Sequence, residues 1–244
     1  MMDFKKSFFY GLENVKWYYL ILLLILAIVY AITDAYELST VSFISLILIF
    51  IIGFGGIIGT KISGKLKTFK HSWLKILKNM GIYTAVNLIF IIAQFALAII
   101  GVYLIYSLAP KNITSIEELI YSMPSGLLLS IILIFIIFSL GVLILEIIKT
   151  MGLVRYFKTN KFKDNFRIAK HFKAIFTKEY FTIAFFVIGY ALITIVIISL
   201  IYLLLIIFTD TITLIIVNIL AATIMYIITS THYSLLSDYL VDKK

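Results

Sequence analysis

The chain has 244 residues, of which 63% are hydrophobic and 14% charged, with a formal net charge of +9 and a mean hydropathy of +1.12. Soluble domains are nearer about 45–50% apolar and about 25% charged, so the composition excludes an ordinary soluble globule and points to an integral membrane protein. Cysteine is absent, which excludes disulfides, thiolate metal sites and cysteine nucleophiles.

In residues 1–16, Phe4, Phe8 and Leu12 recur every four positions. They predict a short amphipathic surface helix rather than a cleavable signal peptide. A first span is expected over 17–33, between Lys16 and Asp34. Its 17 residues are short against the ~20 that cross ~30 Å of hydrocarbon. A second span is expected over 38–60. Residues 61–79 carry six lysines and no acid, with Leu66, Trp73 and Leu77 near one helical face. The third span is expected over 80–108 and the fourth over 124–145, where Pro124 stands at a position a helix start tolerates. Spans five and six are expected over 180–208 and 212–235, with Asp210 at the tip of the hairpin between them. The predicted fold is all-α: a polytopic membrane helix bundle, one integral membrane domain of six transmembrane helices with cytoplasmic amphipathic surface helices.

Charge placement sets the orientation. With six spans, one side of the membrane holds residues 1–16, 61–79, 146–179 and 238–244, which carry twenty of the 21 Lys and Arg residues. The other side has Lys111 alone, beside Asp34, Glu37, Glu117, Glu118 and Asp210. The positive-inside rule then predicts that both termini are cytoplasmic.

Residues 155–178, RYFKTNKFKDNFRIAKHFKAIFTK, hold eight basic groups and one acid. Phe162, Phe166, Ala169, Phe172 and Phe176 fall at helical spacing. They predict a helix lying on the membrane surface. Lys158, Lys161, Lys163, Arg167, Lys170, Lys173 and Lys178 would contact lipid head groups, and Phe162, Phe166, Phe172 and Phe176 would enter the bilayer. Each cation near an anionic leaflet contributes about 1 kcal/mol. The plainer reading is that the cations only mark the inside; the phenylalanine stripe favours insertion. The expected partners are anionic lipids on the cytoplasmic side, with a second copy or another membrane protein as further candidates. Nucleic acid is not expected, because the aromatic residues share the apolar stripe rather than the basic face.

Three leads, from Lys5, Lys70 and Lys170, share a basic amphipathic stretch running into an aromatic span start. They read either as three surface-helix-plus-hairpin units or as the ordinary interfacial anchoring of any inward-facing span start. The spans themselves hold almost no ionisable groups, which argues against a coupled pump. Asn87 and Gln94 share a face of the third span, as a polar seam or, more commonly, as interhelical hydrogen bonding worth ~0.6 kcal/mol a bond. Gly55 and Gly59 form a GxxxG packing step, not a nucleotide loop. His71, His171 and His232 lack metal-ligand spacing, so no metal or cofactor is expected. Asn112-Ile113-Thr114 is a weak glycosylation triplet. No catalytic constellation is visible, and the expectation is a non-enzymatic protein.

Four segments carry a family resemblance: MDFKKSFFYGLENVKWYYLILL, GFGGIIGTKISGKLKTFKHSWLKILKNMGIY, MGLVRYFKTNKFKDNFRIAKHFKAIF and STHYSLLSDYL. In this order they resemble domain-of-unknown-function family 4013, a mostly archaeal family of multi-pass membrane proteins. Members often carry prolines in the third span and before the Arg155 segment; here the two prolines are Pro110 and Pro124. The resemblance implies the architecture and carries no activity. The function expected is engagement of anionic lipid or a membrane partner through the basic amphipathic segments. The alternative is a transporter or channel subunit for a small or lipid-like solute.

Overall fold

The structure, a computed structural model, describes residues 10, 17–64, 69–108, 125–205 and 211–241. Every regular element among them is helical. In chain order these are α1 (Trp17–Ala35), α2 (Ser39–Phe50), a π-helical stretch (Ile51–Ile58), α3 (Gly59–Ile62), α4 (Phe69–Leu108), α5 (Ser125–Thr159), a 3-10 turn (Phe162–Phe166), α6 (Ile168–Ile175), α7 (Lys178–Leu205) and α8 (Thr211–Val241). Five apolar stretches among the described residues are long enough to cross a membrane: Ser39–Ile62, Trp73–Leu108, Leu127–Thr159, Lys178–Ile197 and Ile215–Leu240. They are compatible with a multi-pass membrane protein. The apolar part of α1, Tyr19–Ala35, is shorter than these.

Two sequence expectations are corrected. Over 69–79 of the basic segment 61–79, a surface helix separate from the third span is not formed. Gly64, at φ +67°, ends the turn after α3, and the lysine-bearing lead is then continuous with the span in the 40-residue α4. No proline or glycine stands between Phe69 and Met80 to break the ladder. Residues 155–178 likewise do not form one helix. Arg155–Thr159 prolong α5, and Asn160, at φ +56°, closes it with its N–H 2.7 Å from the Tyr156 carbonyl. That is the left-handed cap asparagine tolerates better than most residues. A 3-10 turn, α6 and α7 follow as separate pieces.

The described chain divides into two compact units. One is Met1–Thr84 with Met151–Lys244; the other is Ala85–Thr150.

In the first unit the buried core lies where polar and apolar residues meet. Phe54, Ile57, Ile58, Leu153, Tyr156, Phe157, Leu235 and Leu236 are buried, and so are Thr60, Asn79, Ser230, Thr231, Ser234 and Ser237. Asn79 Nδ2 donates to Thr60 Oγ1 at 3.0 Å, and the Tyr156 hydroxyl lies 3.5 Å from Asn79 Oδ1. Phe54 stacks on Tyr226 and Tyr233. Farther along α1, α2 and α8, the small residues Ala27 and Ala222 close around Ile49. Asp34 there accepts from Asn218 Nδ2 at 2.9 Å and from Ser42 at 3.3 Å.

In the second unit, Gly101 faces Phe138 and Gly141 faces Leu97 at distances that leave no room for a Cβ. The outward face is apolar: Ile92, Phe95 and Ile99 are each about two-thirds exposed. Patches of that kind need an apolar surrounding.

Candidate functional site

The site is built from the pieces that follow α5. Gly152 allows the 3-10 turn to sit on the helix, because a Cβ there would collide with the Asn165 backbone carbonyl. The turn thereby buries Asp164 and Asn165. Asn165 Nδ2 donates to the Phe162 carbonyl at 2.9 Å. Arg167 Nε lies 2.8 Å from Asp164 Oδ1, an ion pair outside hydrogen-bond angles. His171 of α6 is fully buried, with Nε2 3.0 Å from the Asp164 carbonyl oxygen. Its pKa is held below the usual 6.5, first by burial and then by the charges of Arg155 and Lys170, while the Asp164 carbonyl bond opposes them.

This packing sorts the predicted head-group residues. Lys161, Lys163, Arg167, Lys170, Lys173 and Lys178 are exposed. Lys158 differs: its ammonium donates to the Ser237 carbonyl of α8, so it is spent on holding two helix ends together. The phenylalanines form two edge-to-face pairs, Phe162 with Phe166 and Phe172 with Phe176. Phe162 is 45% exposed, Phe172 43% and Phe176 62%, and Ile168 joins them at 49%. On α6 the apolar arc is therefore split. His171 and Ile175 face inward, while Ile168, Phe172 and Phe176 face out beside Lys170 and Lys173.

A cleft of about 180 Å³ opens at the other flank of α6, lined by Arg155, Lys170, His171, Lys173, Thr177 and Tyr239 among others. The Thr177 and Tyr239 hydroxyls lie 2.8 Å apart, and both reach the Ala174 carbonyl. Sequence reasoning missed Thr177 and Tyr239. They are separated by 62 positions, and neither stands in a local pattern. It counted Arg155 among the cations but not among the site residues.

The remaining candidates lie elsewhere. Gly55 packs against Tyr83, and Gly59 against Phe157. In the second unit, Gln94 donates to Glu146 at 3.2 Å, and Glu146 also pairs with Lys149 at 2.5 Å. Asn87 is half-buried in the same unit and also has a partner. Thr194 and Thr223 return their hydroxyls to carbonyls of their own helices. The His71 side chain, the glycosylation triplet and the surface helix expected in 1–16 lie outside the described residues. Among the described residues no three His, Asp or Glu side chains cluster as metal ligands. No protein-family model, curated protein or solved structure matches the chain.

Proposed function

We propose that the chain is a non-enzymatic, six-span membrane protein that engages anionic lipid through residues 155–178. One observation carries this reading: Phe162, Ile168, Phe172 and Phe176 are exposed next to Lys161, Lys163, Arg167, Lys170, Lys173 and Lys178. Apolar side chains ringed by cations are the arrangement that sits at the boundary between head groups and acyl chains. In this reading α1, the first span in chain order, also crosses, helped by its flanks, and brings the total to six. Both termini and the basic segments are cytoplasmic, as the twenty-to-one lysine and arginine split supports. Membership of family 4013 rests on the four segments that resemble it.

The cysteine-free sequence makes the test direct. A nitroxide attached through Phe172→Cys in the full chain, reconstituted in anionic vesicles, should collide with oxygen far more than with a water-soluble nickel chelate. Free collision with the chelate in anionic and neutral vesicles alike would sink the proposal. For topology, an impermeant maleimide should reach Glu37→Cys and Lys163→Cys from opposite sides of sealed vesicles.

A second reading, a passage for a lipid-like solute, draws on two clefts of about 170 and 180 Å³ in the first unit, both lined by Ile49, Ala222 and Tyr226. Accelerated transbilayer movement of a fluorescent lipid in proteoliposomes would support it. A rate equal to that of empty vesicles would remove it.

A further inference from the structure

We propose that the cleft between α6 and the end of α8 binds a phosphate group, borne on a lipid or free in solution. Its cations come from two helices: Arg155 from the last turns of α5, and Lys170 and Lys173 from α6. Among the described residues no carboxylate lines the cleft and none pairs with these three cations. The nearest buried acid in sequence, Asp164, is engaged with Arg167. Three formal positive charges surround about 180 Å³ with no described carboxylate to balance them.

The geometry favours phosphate over a carboxylate. A phosphomonoester carries about −1.5 to −2 charges and three acceptor oxygens near neutral pH. Arg155 offers a planar fork that matches two of them, and the two lysines supply compact charges for the third. Thr177 and Tyr239 also line the cleft, where their hydroxyls hold each other and the Ala174 carbonyl. Lys170 and Lys173 border both the cleft and the phenylalanine-bearing side of α6; only the cleft adds Arg155, which gathers three cations around one charged group. In its lipid-borne form the inference rests on the membrane-surface reading of residues 155–178; in its free form it does not.

The test uses the full chain in detergent and in nanodiscs. Inorganic phosphate should raise Tm saturably over chloride at matched ionic strength, or nanodiscs doped with phosphatidic acid should bind the chain better than those doped with phosphatidylglycerol. The first result assigns a free anion, the second a lipid headgroup. Arg155→Gln should weaken the response about tenfold, the loss of one charged hydrogen-bonding partner. The exposed pair Lys170→Gln/Lys173→Gln should do the same, which covers the case where the Arg155 variant fails to fold. Lys161→Gln/Lys163→Gln removes equal charge outside the cleft; it weakens overall binding to anionic lipid but should change the Tm response to phosphate, and the preference for phosphatidic acid over phosphatidylglycerol, by less than about twofold. Equal loss in that pair, or no preference for phosphate in either format, would overturn the site. A Phe172 label in the bilayer without a phosphate response removes the cleft alone. A phosphate response with the label in water removes the surface reading alone.

Discussion

The Nε2 nitrogen of His171 lies 3.0 Å from the backbone carbonyl oxygen of Asp164, and the residue is buried. A carbonyl only accepts, so Nε2 carries the ring proton and Nδ1 is a bare lone pair. Among the described residues Nδ1 has no partner. A second proton would add a buried N–H facing no described acceptor, with Arg155 and Lys170 adding repulsion. The neutral ring is therefore the folded form.

A pH dependence follows. The folded pKa lies below the ordinary 6.5, so as pH falls the unfolded chain takes up this proton first. The contribution to stability is complete above about 6.5 and is lost as pH drops through the folded value. Thermal unfolding between about pH 8 and about pH 5 should show Tm falling on the acid side. His171→Gln should flatten that fall; an unchanged slope would assign it to another group.

Gly55 and Gly81 make a matched comparison within one unit. A Cβ on Gly55 would lie 2.6 Å from the Cβ of Tyr83, an atom tied to the backbone of α4. Gly55→Ala should cost about 1–3 kcal/mol by overpacking. At Gly81 nothing lies within 4 Å, so Gly81→Ala should be neutral or stabilise by about 0.5–1 kcal/mol through helix propensity. Tm in one detergent distinguishes them, and equal effects would refute the close approach of Gly55 to Tyr83.

Asn79 joins Thr60 to Tyr156 inside the first unit. Asn79→Leu strands two buried hydroxyls and should destabilise by about 1–3 kcal/mol. Tyr156→Phe should cost less, because its bond at 3.5 Å is at the limit of a hydrogen bond. The reverse ranking in denaturation would show that Tyr156, not Asn79, anchors the set.

At the end of α5, Asn160→Gly should hold stability near that of the parent, because glycine meets no strain at φ +56°. It also loses the acceptor for the Lys75 ammonium, which limits the gain. Asn160→Val should cost about 1–2 kcal/mol, since a β-branched residue resists the left-handed region. Comparison of the two Tm values checks this.

Much of the helical layout was legible because hydrocarbon imposes a length and forbids charge. Asp34, Glu146 and Lys149 stand close to where apolar runs end, and the all-helical architecture with long apolar helices is the one expected. The continuation of α4 back to Phe69 and of α5 on to Thr159 was not legible. Lysine, arginine and tyrosine are tolerated in helices and at interfaces alike, so KILKN and LVRYFKT do not say where a membrane stops. The break in 155–178 was hidden for another reason. Phe162 to Phe176 keep helical spacing although the helix has already ended at Asn160 and the backbone breaks again near Arg167. The anion cleft was out of reach because Arg155, Lys173 and Tyr239 meet only in three dimensions.

The π-helical stretch at Ile51–Ile58 has a consequence for phasing. Its Gly59 N–H reaches back five residues, to the Phe54 carbonyl, so this stretch accommodates residues that an ordinary helix would not. Deleting one isoleucine from it would let the ladder relax to the usual spacing at little local cost. Each residue of an α-helix turns the chain by roughly 100°, so even a partial change in winding would swing Gly59 and Thr60 away from Phe157 and Asn79. A shortened chain of this kind should insert with its full complement of helices and still lose the fit at their polar ends.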